Sequence, residues 1–269
     1  MITVIITGAT GKMGLALSGR VQEDKSIQIG GAVERKGHPS VGSTFFHGIK
    51  IVDDLSLVLN KGDVVIDFTT PEATMEYIDI CQKAKKPMVI GTTGLSSDQM
   101  AHLKQCAKFI PILYSANMSF GMNLLFKMIG EITKDLSGYD VEIIEAHHSH
   151  KVDAPSGTAK KLAEIIAEAR ALELEDVAVH GRKGKTGARR KEEIGIMSVR
   201  AGDIVGDHTI IFAQNSERIE IIHRVHRREA FAAGALKAAK FLVGKDPGLY
   251  SMMDISLYNL STGKTLYLL

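Results

Sequence analysis

The sequence predicts an α/β chain in two parts, a doubly wound parallel sheet and then an α+β unit with a mixed sheet. Three observations carry this expectation. Short β-branched apolar runs alternate with helical segments as far as Met118, the hydrophobic period changes at Ser119, and several strands then follow one another without helices between them.

Ile2 to Thr7 (ITVIIT) reads as a strand that leads into Gly8-Ala9-Thr10-Gly11-Lys12-Met13-Gly14 and a helix from Leu15 to Gln22. Strand, glycine-rich turn and helix together seat a pyrophosphate, because glycine lets the phosphate approach the backbone and the helix start offers N–H groups. The spacing is G-x-x-G-x-x-G, which taken alone also fits a plain structural turn. A second apolar strand, Ile27 to Val33, ends at Glu34, where a Rossmann-like domain places the acid that binds an adenosine ribose hydroxyl. Arg35 follows and can pair with the extra phosphate of NADP, so the two together predict NADH or NADPH as cofactor. Without a ligand they are an exposed ion pair beyond a strand.

The alternation continues with a strand at Asp63 to Phe68, a helix at Pro71 to Ala84, a strand at Pro87 to Ile90, a helix at Ser96 to Lys108 and a strand at Phe109 to Tyr114. Two of these strands end in small polar turns, Gly91-Thr92-Thr93-Gly94 and Ser115-Ala116-Asn117-Met118. Ligands of such sheets sit beyond the carboxyl ends of the strands, so both turns are expected at the cofactor.

From Ser119 onward Phe120, Leu124, Leu125, Met128, Ile132 and Leu136 share one helical face. Strands follow at Asp140 to Ala146, Ile194 to Val199, His208 to Ala213 and Glu217 to Val225. In the last, Ile219, Ile221, His223 and Val225 alternate with Arg218, Glu220 and Arg224, which predicts one buried and one polar face. Glu229 to Val243 reads as an alanine-rich helix and Leu249 to Leu257 as a short apolar segment, both expected to rejoin the first domain. The expected division is thus 1–118 with 228–269, and 119–227, with chain crossings near Met118 and Arg227 serving as a hinge.

Chemistry concentrates in Glu145 to Ala159 (EAHHSHKVDAPSGTA). A helix carrying Ala159, Leu162, Ile165, Ile166, Ala169 and Leu172 starts near Ser156, and its free N–H groups with the Ser156 and Thr158 hydroxyls are expected to seat a carboxylate. Lys151 lies upstream to neutralise the same anion. His147 and His148 point to opposite sides of a strand, so one suits acid/base work near neutrality and the other can donate to a carboxylate. A solvated basic loop and a metal site are the alternatives, but the cluster lacks convergent helical spacing and Lys151 repels a cation, so no metal is expected. The glycine-broken basic stretch Gly181 to Glu193 reads as a loop that is either solvated or offers Arg182 or Arg189 to an anionic ligand.

Composition bounds the partners. The 269 residues, 45% hydrophobic, support a substantial core, and 33 basic against 31 acidic residues leave a formal charge of +2. No global field draws the chain to nucleic acid or membranes. Two isolated cysteines, Cys81 and Cys106, fit a reducing compartment, and neither a signal peptide nor a run of about 18 apolar residues is present. The expected location is cytoplasmic.

The motifs GATGKMG at Gly8, Glu34-Arg35, DFT at Asp67, GTTG at Gly91, SANMS at Ser115 and EAHHSHKVDAPSGTA at Glu145 together resemble the 4-hydroxy-tetrahydrodipicolinate reductase family, also called dihydrodipicolinate reductase. The last motif is the specific one. The resemblance implies an NAD(P)-dependent oxidoreductase that reduces 4-hydroxy-tetrahydrodipicolinate to tetrahydrodipicolinate with loss of water, in the diaminopimelate route to lysine. It implies a dinucleotide-binding domain, and a substrate-binding and oligomerisation domain through which a homotetramer is built. It makes His147 the acid/base residue and Lys151 a proton donor, with His148, Gly157 and Thr158 holding the carboxylates of a small dicarboxylate substrate. Gly8, Ala9, Thr10, Gly11, Lys12, Met13, Glu34, Arg35, Gly91, Thr92, Thr93, Ser115, Ala116, Asn117 and Met118 would contact the cofactor. Two departures stand out. Thr70 replaces an arginine that some members carry after DFT, which rests NADP preference on Arg35, and the tail STGKTLYLL after Leu260 extends past the family pattern. A nucleotide-sensing protein and a metal-dependent hydrolase are the competing readings, and neither accounts for Lys151 ahead of a helix start suited to a carboxylate.

Overall fold

The computed structural model describes residues 1–256 together with 258–259 and 264–265, so most of the tail 261–269 lies outside the described residues. Two compact units emerge, Met1–Phe120 with the chain from Arg228 onward, and Gly121–Arg227. No described helix is long and apolar enough to cross a membrane.

The first unit opens with β1 (Ile2–Thr7), α1 (Lys12–Glu23), β2 (Ile27–Val33), β3 (Ile51–Val52), β4 (Val64–Asp67), α2 (Pro71–Lys83), β5 (Met88–Ile90), α3 (Ser97–Cys106) and β6 (Pro111–Tyr114). Local chemistry sets the helix starts. Thr70 accepts from the Ala73 N–H ahead of Pro71, and Ser96 and Gln99 form a reciprocal capping box. Residues 35–62, for which the sequence carried no assignment, hold β3 and three short 3-10 turns.

The second unit runs through α4 (Phe120–Asp135), β7 (Asp140–His147), α5 (Gly157–Ala169), α6 (Leu174–Val177), β8 (Ala178–Val179), β9 (Ile194–Arg200), β10 (Gly206–Gln214) and β11 (Glu217–Val225). The chain then returns to the first unit as α7 (Glu229–Leu242), β12 (Gly248–Tyr250) and α8 (Met252–Ser256). The apolar stretch after Leu249 is therefore a short strand and a helical turn.

The first sheet has seven strands in the order β12-β6-β5-β4-β1-β2-β3, every pair parallel. Its central strands are apolar throughout because helices cover both faces. Val4 and Ile6 face one core with Leu17 of α1 and Ala235 and Phe241 of α7, while Ile5 between them faces another with Ile78 of α2 and Leu103 of α3. The second sheet is mixed, in the order β11-β10-β7-β9-β8: β10 runs antiparallel to β7 and β11, and β9 parallel to β7 and β8.

One expectation fails here. In β11 only Val225 is buried, and Ile219 is exposed although it has the parity of the core face. The reason is position: β11 is the outer strand of its sheet, whereas β10 beside it alternates cleanly between buried and part-buried.

Gly234 in α7 lies against the loop after β6, where an added Cβ would come 1.7 Å from the Met118 carbonyl oxygen. Backbone cannot step aside as a side-chain tip can. Gly234→Ala is expected to cost roughly 1–3 kcal/mol as helix and loop separate. A denaturant midpoint equal to wild type would show that they are not in firm contact.

Candidate active site

Parallel register lines up the carboxyl ends of the first sheet. Thr7 pairs with Val33 and Asp67, Asp67 with Ile90, and Ile90 with Tyr114. The next residues, Gly8, Glu34, Phe68, Gly91 and Ser115, therefore leave the sheet side by side. This one edge collects every residue the sequence nominated for the cofactor.

The turn there fits a dinucleotide pyrophosphate. Gly8 has φ +62°, a conformation that favours glycine, and a Cβ on Gly14 would meet the Ala9 carbonyl oxygen at 2.3 Å, so the start of α1 can close on the turn. Gly11 caps α1 without a side chain, leaving that helix start to backbone N–H groups. Lys12 is exposed and Met13 packs on the core. Glu34 is buried, and its Oε1 accepts from the Thr10 N–H at 2.8 Å and the Thr10 hydroxyl at 2.7 Å, which ties the ends of β1 and β2 together. Arg35 beside it is exposed.

Several nominated side chains serve the fold and leave a ligand only their backbone. Ala9 and Met118 are buried in the core. Ser115 and Asn117 brace their own turn, the Ser115 hydroxyl donating to the Asn117 carbonyl at 2.7 Å and Asn117 Oδ1 accepting from the Ser119 N–H at 2.8 Å, while Ala116 is exposed. Thr92 belongs to a buried cage. Asp67, fully inaccessible, accepts from the hydroxyls of Thr7 at 2.6 Å, Thr69 at 2.7 Å, Thr74 at 2.5 Å and Thr92 at 3.0 Å. Those bonds satisfy the carboxylate through hydroxyl donors and fix the end of β1, the loop after β4, the first turns of α2 and the turn after β5 to one point. Of the Gly91–Thr93 turn, Thr93 alone is exposed.

The second cluster is built around Glu145, fully buried in β7. Register sets it between Ser198 of β9 and His208 of β10, and sets His147 opposite Arg200. Arg200 reaches back with two parallel bonds, 2.8 and 2.9 Å, to the two Glu145 oxygens. Glu145 Oε1 also accepts from the Ser156 N–H at 3.1 Å, and Oε2 lies 2.5 Å from His147 Nδ1. Ser156 in turn caps α5 by accepting from the Ala159 N–H, and its hydroxyl lies 3.1 Å from His208 Nε2. The Ser156 hydroxyl is thus committed to the fold, contrary to the expectation that it seats a ligand. Gly157 has open space where a Cβ would stand, and Thr158 follows in the first turn of α5.

Burial alone would raise the Glu145 pKa, yet the hydrogen bonds from Arg200, His147 and Ser198 bring it down to about 2. An ionised carboxylate only accepts, so His147 Nδ1 carries a proton. Burial first, then Lys151 and Arg200, hold the His147 pKa below its ordinary value against the opposing pull of Glu145. The ring is therefore neutral near pH 7 with a lone pair on Nε2. Gly206 leaves room beside that atom, since its Cβ would lie 3.2 Å away. Burial, reinforced by His147, takes His208 down to about 3, so it is a neutral strut. Lys151 is part-buried, its Nζ 2.7 Å from Asp153 Oδ1, and its N–H donates to the His148 carbonyl. His148 is half-buried, with a buried Nδ1 that has no partner among the described residues.

The basic loop does not offer its arginines to a ligand. Arg182 binds both Glu142 oxygens at 3.0 and 2.8 Å and Glu193 at 3.2 Å, while Arg189 binds Asp140 at 2.9 Å and Glu142 at 3.1 Å. Sequence reasoning passed over Arg200 and gave His208 no more than a place in a strand, and it quoted Asp67 and Glu145 within motifs without a role. One signal was available: Val141, Ile143 and Glu145 share the core parity of β7, so an acid there demands a buried partner.

The chain matches the family model described as dihydrodipicolinate reductase, N-terminus, over residues 2–118 and that described as dihydrodipicolinate reductase, C-terminus, over 121–255. It is 45% identical over 263 residues to the 4-hydroxy-tetrahydrodipicolinate reductase of Syntrophus aciditrophicus, covering 95% of this chain and 98% of that protein. It is 46% identical over 263 residues to the protein of the same name from Hahella chejuensis, with the same coverage. Among solved structures, dipicolinate-bound dihydrodipicolinate reductase from Paenisporosarcina sp. TG-14 is similar at TM-score 0.76 and 28% identity, over 93% of this chain and 97% of that one.

Two acid limbs follow from the cluster. Between pH 6.5 and about 3 the unfolded chain takes up a proton that buried His208 refuses, and between 4.5 and about 2 it takes up one that Glu145 refuses. Stability is therefore complete above pH 6.5 and falls as pH drops through both windows. A urea midpoint that stays flat from pH 6.5 to 3 would refute a neutral His208. Arg200→Met, which strands the Glu145 charge, should cost about 3–5 kcal/mol at pH 7.

Proposed function

The chain belongs to the dihydrodipicolinate reductase family, and from that premise we propose that it reduces 4-hydroxy-tetrahydrodipicolinate to tetrahydrodipicolinate with NADH or NADPH and releases water, in the diaminopimelate route to lysine. The observation that supports this best is the pairing, in a chain of that family, of a strand-end row suited to a dinucleotide with a part-buried histidine and lysine ahead of a helix start suited to a carboxylate. The first unit is assigned to the cofactor and the second to the substrate. The dinucleotide supplies the hydride.

Net reaction adds a hydride and a proton to the dicarboxylate and expels water, so the protein must deliver one proton per turnover. In this reading Lys151 is the donor, since its ammonium is held in place by Asp153. His147, neutral and aimed by Glu145, accepts and returns a proton at Nε2. The N–H groups at Gly157 and Thr158 and the His148 ring hold the substrate carboxylates. At the other site, Gly8 to Met13 take the pyrophosphate, Glu34 and Arg35 the adenosine ribose, and the turns 91–93 and 115–118 the nicotinamide end. Glu34 favours NADH and Arg35 NADPH, so both cofactors are used.

The reductase assay generates the unstable substrate with the upstream synthase and follows NAD(P)H absorbance. No oxidation above background with either cofactor would end this reading. His147→Ala should lower kcat about 10²–10⁴-fold with little change in KM, because its work belongs to the transition state. Unchanged kcat would remove it from proton transfer. Lys151→Ala should lower kcat and raise KM, and wild-type turnover there would dismiss it as donor.

We also assign the protein to the cytoplasm, in keeping with its two free, buried cysteines, and to a homotetramer built on the second sheet. What favours the tetramer is the sheet's outer face, where Ile144, Val199 and Ile222 are exposed, with Ile144, Thr209 and Ile222 in one row across three strands. Light scattering should find four copies of the 29.2 kDa chain, and Ile222→Glu should shift the population to smaller species. A monomeric wild type would refute the assembly.

A further inference from the structure

A third group of reactive side chains lies on α2 and α3 of the first unit and shares no residue with the sites above. His102 and Cys106 are one helical turn apart on α3 and leave it on the same face, while Asp79 faces them from α2. Asp79 Oδ1 is 2.7 Å from His102 Nε2, and Cys106 Sγ is 3.6 Å from that same nitrogen. The three ligand atoms all lie within 4.8 Å of one another. Gln82 adds a carbonyl oxygen 3.3 Å from Cys106 Sγ.

The arrangement resembles a thiol–imidazole–carboxylate relay, but a relay uses both ring nitrogens, one for the acid and the other for the nucleophile. Here a single nitrogen faces both neighbours. Atoms that converge on one point are disposed as ligands around a centre. A tetrahedral zinc ion with bonds of about 2.0–2.3 Å holds its ligand atoms roughly 3.3–3.7 Å apart. The sulfur–nitrogen separation already matches, and the oxygen–nitrogen pair has to open by about half an ångström, which a half-exposed carboxylate and imidazole can do by rotation.

We propose that Asp79, His102 and Cys106 form a binding site for a borderline-soft divalent cation of the zinc type, with Gln82 Oε1 or water as fourth ligand. One sulfur, one imidazole nitrogen and one carboxylate oxygen suit zinc and disfavour magnesium or calcium, which prefer oxygen alone. On binding, Cys106 gives up its proton to solvent and coordinates as thiolate. Asp79 and His102 leave the cation a route from solvent, and the thiol forms the inner wall. Because the ligands come from two helices, the cation clamps α2 to α3 and stabilises the first unit by mass action.

The test uses the full-length protein and Co2+ as a spectroscopic substitute for Zn2+. One equivalent of Co2+ should produce a thiolate-to-cobalt charge-transfer band with the intense visible absorption of a tetrahedral site, and Zn2+ should displace it and raise the thermal midpoint. Cys81 is fully buried elsewhere in the core, so the band should persist in Cys81→Ala and vanish in Cys106→Ser. His102→Gln and Asp79→Asn alter half-exposed positions and leave the fold intact, so they decide the matter even where a cysteine variant misfolds. Each should weaken Co2+ binding at least tenfold. Absence of the band in wild type, or a band of undiminished affinity in His102→Gln, would overturn the site.

Discussion

The second unit depends on a carboxylate that is wholly shielded from solvent. Desolvating Glu145 is costly, and the cost is offset only because Arg200 meets it with two parallel bonds while the Ser156 N–H and the His147 ring take the remaining lone pairs. Those partners come from β9, from the start of α5 and from the end of β7 itself. One buried charge thereby fixes where the helix begins, how the strands register and which nitrogen of His147 carries the proton. None of these can change alone, because each would strand the charge.

The first unit solves a similar problem by other means. Asp67 is equally buried, but its hydrogen-bond partners among the described residues are four threonine hydroxyls. The difference suits the location. Neutral hydroxyls brace the loops from inside the sheet edge and add no fixed charge of their own beside the α1 N-terminus. Glu34 repeats the strategy on a smaller scale, bonded through one oxygen to Thr10.

What could be read from the sequence was local. Apolar strands, turn residues and caps occur within a few positions of one another, so the alternation of β1 to β6 with α1 to α3 was legible, as was the concentration of polar chemistry between Glu145 and Ala159. What could not be read was pairing at a distance. Arg200 is 55 residues from Glu145 and His208 is 52 from Ser156; strand register brings Arg200 and His208 to Glu145, and the Ser156 N–H bonded to Glu145 completes the set. The same blindness made Arg182 and Arg189 look available, because Glu142 and Asp140 lie 40 or more residues away. It also made β11 look half-buried, since alternation along a strand says nothing about whether it ends up at the edge of its sheet.

The Glu145 cluster also bears on proton traffic. A carboxylate beside an imidazole ordinarily raises its basicity, and a fully available Glu145 would favour a charged His147 at neutral pH. Arg200 already claims both oxygens, which weakens that pull, and burial together with Lys151 opposes it further. His147 is consequently oriented like a charged residue but held neutral, with its free lone pair beside the space that Gly206 leaves open. The ion pair between Glu145 and Arg200 is thus more than a brace: by competing with His147 for one carboxylate, it weakens the one pull that would charge the ring, and burial, the larger effect, holds the ring neutral.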